Sequence, residues 1–182
     1  IDRQIDGDVT VTAKGTAATD GIVMSGGGVG DFAGAFIGNG AYENSATING
    51  FTKVDITNGG LDMAGGDGRY ASVGIGHANR GGTGIMNGSI YVTVTEGDIE
   101  LKANDTATGY FSHARIGHGG WDTGNKSGAI TVTASAGDIL VQGGQGDVSS
   151  SQYNFAQIGH GGYGNGAVQN VDAIINVTAT AG

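Results

Sequence analysis

Five stretches of the chain alternate apolar and polar residues with a period of two: Val9-Thr10-Val11-Thr12, Val54-Asp55-Ile56-Thr57, Val92-Thr93-Val94-Thr95, Ile130-Thr131-Val132-Thr133 and Ile175-Asn176-Val177-Thr178. One apolar and one polar face at that period is the mark of a half-buried strand. After each of the first four comes a turn and then an apolar pair at i and i+2: Ile22 and Met24, Leu61 and Met63, Ile99 and Leu101, Ile139 and Val141. Gly97-Asp98 and Gly137-Asp138 are the clearest of these turns. A third strand follows, in which Ala35, Val73, Ala114 and Ala156 stand two residues before Ile37, Ile75, Ile116 and Ile158.

Those four isoleucines open the strings IGNGA, IGHAN, IGHGG and IGHGG, at steps of 38, 41 and 42 residues. Self-similarity at such a period, with fixed strands and loops that absorb the insertions, predicts a solenoid. The pattern therefore predicts an all-β fold: one parallel β-solenoid domain over 1–182 with four repeats of 38–42 residues. Each repeat has three short strands and is centred on Ile37, Ile75, Ile116 or Ile158. Parallel crossovers favour a right-handed coil. One coil per repeat is the primary reading and two smaller coils the alternative. Stacking predicts an inward core column of Val11, Ile56, Val94, Val132 and Val177, about 4.8 Å apart from layer to layer. The chain opens and closes within first strands and shows no capping helix, so the ends are expected to be open edges able to add another chain.

Composition narrows the class. Glycine supplies 39 of 182 residues and proline none, without a three-residue period, which excludes collagen. The wealth of Ile and Val, against only Leu61, Leu101 and Leu140, favours strands over disorder. Eight scattered Lys and Arg against 17 acids, a net charge of −9, argue against nucleic-acid partners. With no cysteine there are no disulfides or thiolate metal sites. No apolar run reaches the roughly 18 residues of a membrane helix.

Candidate chemistry follows the repeat. Asn39, His77, His118 and His160 share one repeat position. Stacked imidazoles could share a metal, but Asn in the same column is a poor transition-metal ligand and a good hydrogen-bonding residue, which favours a hydrogen-bonded corner ladder. His113 lies off the column and is expected to be exposed. Phe32, Tyr70, Phe111 and Tyr153 recur five residues before the isoleucines, and Tyr42, Trp121 and Tyr163, with Arg80, five after them. Aromatic columns can stack on one another or on sugar rings. Asp98 and Asp138 offer only a weak calcium possibility, because the tandem calcium nonapeptide is missing, and no cofactor is expected. Thr-x-Thr pairs on the outer face of the first strand suit an ice-binding surface or simply an exposed strand. Asp67, Asp122 and Asp147 are the acids that a polysaccharide-cleaving site would use. The loops repeat, however, whereas a catalytic site needs one coil to differ from the rest.

The strings ITVTA, GDILV and FAQIGHGG resemble the repeat regions of large secreted bacterial surface proteins, the filamentous-haemagglutinin-like and autotransporter-type adhesins. The resemblance implies a right-handed β-helix in an extracellular fibre or cell-surface adhesin and carries over no catalytic residue. The expected function is thus a non-enzymatic structural subunit or segment of an extracellular filament, with itself as partner through end-to-end stacking. An adhesin stalk binding glycans or a cell surface is the alternative, and a polysaccharide-active enzyme comes third.

Overall fold

The computed structural model describes residues 3–17, 21–28, 33–42, 46–80, 84–105, 111–121, 124–144, 153–161 and 170–180. The chain winds as a parallel β-solenoid, with one coil to each repeat, and every strand pairs with its counterpart one repeat away. The described residues contain no helix.

Among the described residues, each of the first three coils visits five sheets in order. The first sheet stacks Arg3–Asp6, Ala46–Asn49, Met86–Asn87, Lys126–Ser127 and Val171–Asp172. The second stacks Val9–Ala13, Thr52–Ile56, Ile90–Val94, Ile130–Ala134 and Ile175–Ala179. The third holds Ile22–Ser25, Leu61–Ala64, Ile99–Lys102 and Ile139–Gln142, and the fourth Ala35–Ile37, Val73–Ile75, Ala114–Ile116 and Ala156–Ile158. The fifth comprises Gly40–Tyr42, Ala78–Arg80 and Gly119–Trp121.

Five strands per coil correct the expected three. The second, third and fourth sheets are the ones that alternation predicts. The first sheet escapes that pattern because its strands shrink to two residues and its inward column changes character, reading Ile5, Ile48, Met86, Lys126 and Val171. The fifth begins at Gly or Ala directly after the His/Asn position, and so reads as loop.

The core column is also corrected. Val11 pairs with Val54, Val54 with Val92, Val92 with Val132, and Val132 with Val177. Ile56 and Val94 stand two residues further on, in a second column with Ala13, Ala134 and Ala179. A shift of two leaves every side chain on the same face, so alternation by itself could not separate the two registers.

The main core is built only from the second, third and fourth sheets: Val54, Val92 and Val132 face Met63, Leu101, Ile75 and Ile116. In the inner layers these side chains are fully buried, and each contributes about 1.5–3 kcal/mol of apolar burial. Ile48 and Met86 of the first sheet are equally buried but lie outside this cluster. On the outer face of the same sheet a polar ladder runs from coil to coil: Asn49 Nδ2 donates to Asp6 at 2.8 Å, Asn87 Nδ2 to Asn49 at 3.0 Å and Ser127 Oγ to Asn87 at 2.7 Å.

Candidate functional site

The repeated Gly-His step lies at the corner between the fourth and fifth sheets. His77 and His118 stack with ring centroids 4.6 Å apart and 9° between planes, and His118 and His160 do the same. Nδ1 of each ring accepts a backbone N–H from the coil before it: from Asn39 to His77 at 3.3 Å, from His77 to His118 at 3.0 Å, and from His118 to His160 at 3.0 Å. With Nδ1 accepting, the proton sits on Nε2. Nε2 then donates to a glycine carbonyl in the same coil, to Gly50 at 2.9 Å, Gly88 at 2.7 Å and Gly128 at 3.0 Å. Asn39 does the same through Nδ2, which donates to Gly7 at 2.6 Å.

These glycines form the corner between the first and second sheets. Gly50, Gly88 and Gly128 have φ of 112°, 130° and 119°, a region that L side chains rarely adopt. The imidazole column is therefore a chord across the coil. It separates a large compartment, bounded by the second to fourth sheets, from a small one bounded by the first and fifth, where Ile48 and Met86 are buried.

All three rings are held neutral. Burial pushes His118 down to about 3, opposed by its bond to Gly88 and reinforced by the charges of His77, His160 and Arg115. His77 and His160 are lowered too, again chiefly by burial. Since both nitrogens of each ring are engaged, the ladder offers no lone pair to a metal. Among the described residues no group of three or more His, Asp or Glu could hold a metal ion.

His113, expected at the surface, instead stacks on Phe155 at 4.7 Å and 3°. Ser72 Oγ donates to the Phe111 carbonyl at 2.6 Å, so Nδ1–H of His113 donates to Ser72 Oγ at 3.0 Å. Nε2 is left buried without a partner. Burial, followed by the charge of Arg115, pushes His113 down to about 3.

Tyr70, Phe111 and Tyr153 form a second column, with centroids 4.9 and 5.1 Å apart and planes within 7°. All three adopt left-handed φ, 58°, 59° and 71°, which costs a bulky residue on the order of 1–3 kcal/mol. Stacking and burial offset that strain, and Phe111 is 7% exposed. Arg69 sits 5.2 Å from the Tyr70 ring centroid. Phe32 and Tyr163 lie outside the described residues, as do Asp122 and Asp147 and the side chains of Tyr42, Arg80 and Trp121.

Asp98 accepts the backbone N–H of Asp138 at 2.8 Å, one turn above another. Together with Glu100, Ile139, Leu140 and Ala179 the two acids line an open groove of about 450 Å³. Asp67 accepts from Asn104 at 2.8 Å. The outward columns of the second sheet read Thr10, Lys53, Tyr91, Thr131, Asn176 and Thr12, Asp55, Thr93, Thr133, Thr178, so Lys53 and Tyr91 break the threonine array in addition to Asp55 and Asn176.

Two buried cations carry no sequence signal. Arg115 and Lys126 occupy columns filled by Phe36, Gly74 and Gln157 in one case and by apolar residues in the other, and only the fold buries them. Compared with protein-family models, curated proteins and solved structures, the chain finds no match in any of the three.

Proposed function

We propose that the chain is a structural, non-enzymatic length of an extracellular fibre, as a segment or a subunit, in which further coils stack on its open layer. The observation that carries this reading is a contrast between layers. Val54, Val92 and Val132 are fully buried, yet Val177 in the same column is 48% exposed. Met63 and Leu101 are fully buried, whereas Val141 above them is 43% exposed. Leaving such side chains in water forgoes part of the roughly 1.5–3 kcal/mol each would gain on burial. A covering layer in the same parallel register recovers that burial and pairs the free strand edges.

The resemblance of ITVTA, GDILV and FAQIGHGG to adhesin repeats supports an extracellular setting. The neutral, doubly bonded histidines support a bracing role over a catalytic one. In the aromatic column the rings cover one another's faces, which favours a structural ladder. The half-exposed Tyr153 at its end is what favours the second reading, a glycan- or surface-binding module.

Electron microscopy of the native material tests the proposal. Continuous filaments with a layer repeat of about 4.8 Å running through every junction are expected. Monodisperse particles at high concentration would overturn it and direct attention to a glycan-binding panel.

A further inference from the structure

Among the described residues the first and second sheets carry five strands and the third and fourth carry four, so the open layer is a step. Val171–Asp172 and Ile175–Ala179 stand one layer above Ile139–Gln142 and Ala156–Ile158. At the opposite face these four sheets begin level, with Arg3–Asp6, Val9–Ala13, Ile22–Ser25 and Ala35–Ile37 in one coil. On the outer side of the third sheet one column reads Val23, Asp62, Glu100 and Leu140. Its inner layers are acidic and its two outermost are apolar, with Val23 71% and Leu140 43% exposed.

We propose, on the open-layer reading above, that the partner on this layer is a second copy of the chain, whose residues 3–13 displace residues 170–180 on joining. Continuing the observed registers sets Ile22 over Ile139, Val23 over Leu140 and Met24 over Val141, so the two exposed outward side chains cover each other. Asn39 comes over His160, where its Oδ1 takes the His160 N–H as an imidazole Nδ1 does in the inner coils. The same registers set Val9–Ala13 in the layer that Ile175–Ala179 already fills. Val9, Val11 and Ala13 share columns with Ile175, Val177 and Ala179, and Ile5 shares one with Val171. Exchange therefore replaces like with like in the first two sheets, and new apolar burial in the third and fourth drives it. The incoming segment is also the better fitted, since Asp8 accepts the Phe51 N–H of the coil above it at 3.0 Å. Ile174, 70% exposed, stands at the matching place in 170–180 and has no side-chain acceptor for such a group.

Two pairs of cysteines, in a chain that has none of its own, test the junction and the exchange. Ser25→Cys with Gln142→Cys puts thiols about 4.8 Å apart across the junction, within the span of a disulfide. Inside one copy the same positions lie three layers apart, roughly 14 Å, and cannot be bridged. Oxidation of this double variant should give a ladder of covalent multimers, whereas either single variant should stop at a dimer. Thr133→Cys with Thr178→Cys instead joins neighbouring strands of one copy and pins residues 170–180 in place. Closing that disulfide should arrest filament growth in electron microscopy, and reductant should restore it. Filaments that grow equally well with the pin closed would overturn the exchange. Filaments of the first double variant that yield no ladder would overturn the register and leave the fibre reading standing, whereas separate particles from the unaltered chain would take down both.

Discussion

The backbone N–H of His77 donates to Nδ1 of His118 at 3.0 Å while the two rings lie parallel at 4.6 Å. One imidazole thus ties its coil to the one before it through the backbone and, by its other nitrogen, ties two corners of its own coil together. His118→Ala removes both bonds and leaves a buried gap, and should cost about 3–5 kcal/mol. His118→Asn, the residue used at Asn39, keeps a donor for the Gly88 carbonyl and should recover about 1–2 kcal/mol of that loss. Chemical denaturation compares the two; equal losses would show that the carbonyl bond contributes nothing.

The same ladder makes stability depend on pH. The groups facing it are the neighbouring rings and the cations Arg115 and Lys126, and none of these favours protonation. His118 is held at about 3 in the fold, below the ordinary histidine value of about 6.5 in the unfolded chain. The unfolded state therefore binds more protons between these values. The stabilisation is full above about pH 6.5 and declines as pH falls toward 3, by about 1.4 kcal/mol per pH unit for each histidine held neutral. Urea midpoints at pH 7.5 and 5 should differ accordingly, and His118→Asn should flatten the slope.

Thr52 interrupts an inward column otherwise made of Val9, Ile90, Ile130 and Ile175, and its hydroxyl is buried without a partner. Thr52→Val keeps the shape and removes the unpaired group, so it should stabilise the protein by about 1–2 kcal/mol. A lowered melting temperature would mean that the hydroxyl has a partner after all.

Gly88 has a φ of 130°, and a first side-chain carbon there would overlap the carbonyl of Gly50 in the coil below. Gly88→Ala should destabilise by at least about 3 kcal/mol. Gly143, with nothing within 4 Å of such a carbon, serves as the control, and Gly143→Ala should stay within about 0.5 kcal/mol. Paired thermal melts distinguish corner geometry from a general effect of losing glycine.

Three of the five sheets can be read from the chain because Val54, Leu101 and Ile116 belong to strands with at least two inward apolar positions, enough for a period to appear. Met86–Asn87 and Lys126–Ser127 offer one inward residue each, and no period exists in a pair. The histidine position is legible because it sits two residues after an invariant isoleucine, within each of the four repeats. The route of the imidazole to Gly88 spans 30 residues and depends on a corner in an unread sheet, so the bracing chord was not. Arg115 and Lys126 look like surface charges in a chain with so few cations, and only three-dimensional packing reveals their burial.

The chord also bears on how a fibre of such coils would respond to load. Pulling on the chain end must undo the ladders of one coil and break its imidazole ties before the next coil feels the force, so extension should proceed by discrete rips. Each rip releases one repeat of 38 to 42 residues, roughly 140 Å of contour when fully extended. A rod of this kind would yield in nearly equal steps and dissipate work at every step, and the histidine or asparagine tie at each step sets how hard the pull must be.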